Sequence, residues 1–160
     1  MRILRILKGT TVDGPGFRTS VYFAGCAHHC PGCHNPGSWD FTGGEDTSID
    51  QLMETVEEED FDVTLSGGDP LYQPEDVAEL CRRVTRSGHT VWIYTGFTWE
   101  EILSDPRLLD AVRHAEVVVD SPFIESFLDR DLLFRGSSNQ RLIRVSESLT
   151  TGKIVLWHSR

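Results

Sequence analysis

Four short, largely apolar runs, each followed by a segment with helical spacing, constrain the fold of this chain more than any other feature. The runs are Ser20–Ala24, Val63-Thr64-Leu65, Val91-Trp92-Ile93-Tyr94 and Val117-Val118-Val119. After the first, Ser48 and Gln51 form a capping box, and Ile49, Leu52, Met53 and Val56 then fall on one helical face. Pro74, Glu75 and Asp76 open a second helix with the stripe Val77, Leu80, Cys81 and Val84, and Gly88 stands where a C-cap is expected. Thr98 and Glu101 form another capping box, and Asp105-Pro106 restarts a helix running towards His114. Strands that are continuously apolar are covered on both faces, so this β-α-β-α-β-α-β order predicts a parallel sheet with helices packed on it.

Further strands are expected at Leu142–Val145 and Ile154–Trp157, separated by Leu149-Thr150-Thr151-Gly152. Four α/β units are too few to close an eight-stranded barrel. The fold class expected is therefore α/β, an open, partial (β/α) barrel with mainly parallel strands, spanning residues 1–160 as one domain. In such folds ligands bind at the carboxyl ends of the strands. The loops at those ends hold Cys26–Cys33, Gly67-Gly68-Asp69, Thr95-Gly96 and Asp120-Ser121-Pro122. Each alone could be a turn; their common edge points to one site.

Cys26, Cys30 and Cys33 have C-x3-C-x2-C spacing, and Pro31-Gly32 and Pro36-Gly37 oppose a continuous helix through them. A loop wrapped around one centre follows. Three thiolates can hold three irons of a cubane [4Fe-4S] cluster and leave the fourth open to substrate, whereas a simple electron carrier supplies four ligands. Zinc is the competing occupant, since two or three of these cysteines with His28, His29 or His34 could complete a tetrahedral site. Cys81 lies in the apolar stripe of a helix and reads as core.

Composition narrows the function classes. The net charge of −10 argues against a nucleic-acid backbone binder, which needs a basic face. No apolar run approaches the roughly 20 residues that span a bilayer. The opening Met1–Leu7 alternates charged and apolar residues without a signal-peptide core, so a cytoplasmic protein is expected. Four cysteines in that compartment suggest metal or redox chemistry rather than a disulfide framework.

The cysteine loop resembles the signature of the radical S-adenosylmethionine enzymes. Upstream, Asp13-Gly14-Pro15-Gly16-Phe17-Arg18 resembles the glycyl-radical-enzyme activases of that superfamily. Cys30-Pro31-Gly32-Cys33, Ser66-Gly67-Gly68-Asp69-Pro70-Leu71, Tyr94–Thr98 and Phe134–Arg141 are similar to the subgroup that serves anaerobic ribonucleotide reductase. Gly32 stands where the superfamily often has an aromatic residue, and His34-Asn35 is shared with the activases of pyruvate formate-lyase.

The resemblance implies a radical SAM type of partial barrel, with the cluster on Cys26, Cys30 and Cys33. It implies S-adenosyl-L-methionine contacts from Gly32, Cys33, His34, Gly67, Gly68, Asp69, Asp120 and Ser121, with Asp69 replacing the superfamily's more general glutamate. No side-chain acid–base pair is implied. A flavodoxin or ferredoxin would supply the electron, and the large subunit of the reductase would receive a glycyl radical. Activation of another glycyl-radical enzyme, a small-molecule radical reaction and an inactive zinc-binding module are the rival readings.

The remaining positions are less constrained. Asp120 could instead be a turn or cap aspartate. Tyr94 and Thr95 could reach the site or lie in the core. Arg135 and Arg141 could meet a carboxylate, meet a partner, or simply be exposed. Glu57–Asp60 reads as a solvated helix end.

Overall fold

A computed structural model of the chain describes residues 1–159. Among these residues lie strands β1 (Arg2–Thr10), β2 (Arg18–Phe23), β3 (Glu45–Asp46), β4 (Asp62–Gly67), β5 (Val91–Tyr94), β6 (Val117–Asp120) and β7 (Arg141–Arg144). They form one sheet in the order β3-β1-β2-β4-β5-β6-β7, and the sheet does not close. The four central strands, β2, β4, β5 and β6, run parallel. They are the four apolar runs expected from sequence. Antiparallel strands extend both edges: β1 and β3 beside β2, and β7 beside β6.

Helices α1 (Ile49–Glu59), α2 (Pro74–Arg86), α3 (Trp99–Ser104), α4 (Pro106–Val112) and α5 (Val145–Thr151), with three short 3-10 turns at Pro36–Ser38, Pro70–Tyr72 and Glu125–Phe127, complete the described elements. Both expected capping boxes are formed, Ser48 with Gln51 at α1 and Thr98 with Glu101 at α3. Pro74 and Pro106 start α2 and α4, where a missing N–H costs nothing. The main core lies between the sheet and these helices. Val21, Phe23, Val63, Leu65, Val91, Ile93 and Val118 meet Leu52, Val56, Val77, Leu80, Cys81, Ile102 and Val112 there, all buried.

The opposite face alternates with this one, as strand geometry requires. Arg5, Tyr22, Ser66 and Tyr94 line an open cleft there. Towards β7, Trp92, Val117, Val119 and Leu142 form a second cluster with Phe134 and Trp157 against it. Arg18 is a buried cation on this face. Its Nε donates to Thr64 Oγ1 at 2.7 Å and its Nη2 to the Val63 carbonyl at 2.8 Å, and its guanidinium lies 5.5 Å from the Trp92 ring centroid. Burial lowers its pKa, and the carboxylate of Asp62 opposes that shift.

Two expectations need correction. Ile154–Trp157 is not a strand: one bridge, Ile143 to Leu156, joins it to the sheet edge. Its Val155 carbonyl accepts from Arg144 N and its Trp157 N–H donates to the Leu142 carbonyl, and the Trp157 ring meets Trp92 at 5.0 Å between centroids. The segment Leu149–Gly152, expected as a connection between strands, belongs to α5 and its left-handed cap at Gly152.

Candidate functional site

The loops after β2, β4, β5 and β6 leave the sheet at the same edge because those strands are in register. Phe23 pairs with Gly67, Leu65 with Ile93, and Tyr94 with Val119. These loops surround a cleft of about 740 Å³. Cys26, Cys30 and Cys33 all line it, together with Gly67, Gly68, Thr95, Gly96 and Ser121.

Main-chain contacts set the path of the cysteine loop. The Gly25 N–H donates to the Ser38 carbonyl at 2.8 Å and the Cys26 N–H to the Trp39 carbonyl at 3.2 Å, tying the loop's start to its end. Gly68 donates to the Phe23 carbonyl at 2.8 Å and Asp69 to the Gly25 carbonyl at 2.9 Å, tying the loop to the Gly-Gly-Asp turn. A Cβ on Gly67 would strike the Phe23 backbone, and one on Gly68 would strike the carbonyl oxygens of Gly25 and Ser38. Gly67 also has φ 107°. Here the glycine pair is demanded by close packing of two backbones.

The cysteines are free thiols; Cys26 is buried while Cys30 and Cys33 are half-buried. Burial pushes the Cys26 thiol up to about 11, against backbone N–H donation from His28 and His29. The Asn35 N–H points at Cys33 Sγ from 3.4 Å. Such donors stabilise thiolate sulfur and tune a cluster held by it. Among the described residues, no three His, Cys, Asp or Glu side chains are gathered as ligands of a single ion. A cubane gives each thiolate its own iron, so three cysteines spread along one cleft wall fit that group.

The histidines of the loop have other contacts. His28 Nε2 lies 2.8 Å from Asp69 Oδ2. His29 packs on Trp39 at 4.8 Å and His34 on Phe123 at 5.1 Å between ring centroids. His28 and His34 both line the cleft as well. Gly32, with φ 73°, is exposed and faces the Glu125 side chain rather than the cleft.

The two aspartates expected to touch a ligand are placed differently from the glycines. Asp69 and Asp120 are both 0% exposed, and neither lines the cleft. Asp69 accepts four hydrogen bonds: Leu71 N on Oδ1, and His28 Nε2, Thr95 Oγ1 and Gly96 N on Oδ2, at 2.8–2.9 Å. Asp120 accepts the Trp99 N–H at the start of α3 at 2.8 Å, and the Arg141 guanidinium in a fork at 2.5 and 3.1 Å. Arg141 also reaches Glu100, and these two carboxylates raise its pKa. Both aspartates brace loops of the site. Ser121, next along, has φ 79° and does line the cleft.

Arg5, Tyr22 and Gln140 also line the cleft, and sequence reading did not single them out. The available signal was two-residue alternation, which places Tyr22 and Tyr94 on the face opposite Val21 and Ile93. Tyr22 Oη donates to Asp13 Oδ2 at 2.5 Å, and Arg5 lies 4.5 Å from the Tyr22 ring centroid. Burial, then the bond to Asp13, pushes the Tyr22 phenol up to about 12. Burial likewise raises Tyr94. Arg135 reaches the cleft and donates to the Gln140 carbonyl at 2.8 Å, while Gln140 braces Gly136, Ser137 and Ser121.

Residues 12–143 match the family profile described as "4Fe-4S single cluster domain". The chain is 35% identical to the anaerobic ribonucleoside-triphosphate reductase-activating protein of Escherichia coli K12, over 81% of this chain and 89% of that one. It is 33% identical to the protein of the same name from Pasteurella multocida, over 85% and 92% of the two chains. The likeness extends to Enterobacteria phage T4, at 32% identity over 86% and 90%.

Proposed function

The chain belongs to the family of anaerobic ribonucleoside-triphosphate reductase-activating proteins, and from that premise we propose that it is a radical S-adenosylmethionine activase of such a reductase. Cys26, Cys30 and Cys33 would hold a [4Fe-4S] cluster, which supplies one electron to cleave S-adenosyl-L-methionine into methionine and a 5'-deoxyadenosyl radical that takes a hydrogen atom from a glycine of the reductase large subunit. The observation that carries this reading is the shared cleft. The three cysteines, the Gly67–Gly68 backbone and Ser121 face one volume at the carboxyl ends of parallel strands.

The chain's own residues supply binding, orientation and shelter. Gly67 and Gly68 present bare backbone, against which the amino group of the cofactor can lie, and Cys33, His34 and Ser121 complete the nearby wall. Asp69 and Asp120 hold the loops that carry these contacts. Tyr22, Tyr94 and Phe134 give the inner face aromatic surface that sheds water. The sheet is open, so the reductase subunit would close the remaining side and shield the radical. We read residues 1–160 as a single radical SAM domain of the partial-barrel type, working in the cytoplasm with a flavodoxin or ferredoxin as electron donor. No helix among the described residues is long and apolar enough to cross a membrane.

Anaerobic reconstitution with iron and sulfide tests the proposal. A brown chromophore, a reduced-cluster EPR signal and 5'-deoxyadenosine on adding reductant and S-adenosylmethionine are expected, followed by a glycyl EPR doublet on the reductase subunit. Replacing Cys26, Cys30 or Cys33 by alanine should abolish deoxyadenosine. Full activity in any of the three refutes the ligand assignment. A glycyl signal on pyruvate formate-lyase, and none on the reductase, refutes the partner.

A further inference from the structure

We propose that His28 is a positioning residue: through Asp69 it holds the cysteine loop in register with the Gly67–Gly68 turn, and its ring accounts for the short acid at position 69. The inference rests on the cluster and cofactor reading above. His28 stands between two of the three cysteines, and from the wall of the cleft they share its ring reaches Asp69. A carboxylate only accepts, so His28 Nε2 carries the shared hydrogen. The same oxygen accepts from Thr95 Oγ1 and Gly96 N, both at 2.9 Å, and the other from Leu71 N at 2.9 Å. One buried carboxylate thus joins the cysteine loop, the Gly-Gly-Asp turn with the segment after it, and the loop after β5.

The imidazole is packed by its neighbours and stays 17% exposed on the side that lines the cleft. Phe97 meets it edge-on at 4.7 Å between centroids, and Tyr72 lies at 5.4 Å. Gly96 is so close that a Cβ there would strike the ring. A glutamate at 69 would carry one more methylene into this space and drive its carboxylate against His28 or the Gly96 backbone. Histidine at 28 and aspartate at 69 therefore divide a fixed distance between them. Losing the bond leaves the main-chain ties of Gly68 and Asp69 in place but removes the side-chain tie between the middle of the cysteine loop and the turn on which the cofactor would lie.

The test uses the full chain, reconstituted anaerobically, as wild type, His28→Ala, His28→Gln, Asp69→Glu and the H28A/D69E double variant. The readouts are iron content, S-adenosylmethionine affinity, and the change in the reduced-cluster EPR spectrum when S-adenosylmethionine is added. In the iron-free protein, the His28 Nε2–H proton is followed by NMR. That proton should exchange slowly in the wild type. His28→Ala should bind iron but lose about tenfold in affinity, as for a charge-assisted hydrogen bond, with a blunted EPR change. His28→Gln, which can donate over a similar reach, should recover most of the loss. Asp69→Glu should be impaired and the double variant better than it. Wild-type affinity and EPR response in His28→Ala overturn the inference, as does a glutamine variant no better than alanine or an unimpaired Asp69→Glu. If His28→Ala fails to fold, the glutamine and glutamate variants decide the matter. A wild type that takes up no cluster overturns the underlying reading, and the inference with it; a competent wild type matched by His28→Ala overturns the inference alone.

Discussion

Asp120 ends a parallel strand with its carboxylate shared between a helix N-terminus and an arginine fork. Removing it would leave the Trp99 N–H without its acceptor and the Arg141 guanidinium with Glu100 alone. Asp120→Ala should destabilise the protein by about 3 kcal/mol, measured by urea denaturation. S-adenosylmethionine affinity should fall far less than in a variant whose cleft wall is changed. Cys81 lies apart from the loop cysteines and outside the cleft. It is 0% exposed in the main core, and burial pushes its thiol from 9.0 up to about 12. Below pH 9.0 both folded and unfolded chains keep that proton. Between pH 9.0 and about 12 the unfolded chain releases it first, so folding stability falls as pH rises. Cys81→Ala should flatten this part of the pH–stability curve and leave deoxyadenosine production nearly intact, a comparison made by denaturation on either side of pH 9.0.

At the scale of elements, helix starts were legible because capping is local. Ser48 Oγ accepts the Gln51 N–H at 3.2 Å while Gln51 Oε1 accepts the Ser48 N–H at 2.8 Å. Ser48→Ala should cost about 1 kcal/mol, read from the urea midpoint, without changing cluster content. α5 was not legible. It is short, lacks a side-chain N-cap and is rich in Ser and Thr, so only the burial of Val145 and Ser148 distinguishes it from a loop. β1 was passed over for a related reason. Its charges, Arg2, Arg5 and Lys8, recur every third residue, and a register shift between Ile3 and Arg5 puts Arg5 on the cleft face while Ile3 serves the core. A strand is legible from a two-residue period, and β1 lacks one because its pairing with β2 is irregular at both ends.

Across the whole molecule, helices cover one face of an open sheet and leave the other to the site. Amide exchange should follow that division. β4, β5 and β6, central and packed under the helices, should exchange last, while β3 and residues 121–140 should exchange first, as hydrogen-exchange mass spectrometry can resolve. On docking of the reductase subunit, protection should rise in residues 121–140, where Ile124, Phe127, Leu128 and Leu133 are exposed.

The C-x3-C-x2-C spacing, the parallel strands and the capped helices are set by neighbouring residues, so the sequence alone determined them. It also determined that the cysteines and the glycine pair share one sheet edge, because right-handed strand–helix alternation sends every such loop the same way. What only the tertiary structure decided is which residues of those loops face the cleft. Asp69 and Asp120 were expected beside the cofactor, yet both point into the protein. Asp69 has one local donor, Leu71 N, but its other partners, His28, Thr95 and Gly96, and those of Asp120, Trp99 and Arg141, are 21 to 41 residues away. A carboxylate at a strand end can turn towards a ligand or towards a brace, and that choice depends on long-range packing that no local pattern encodes.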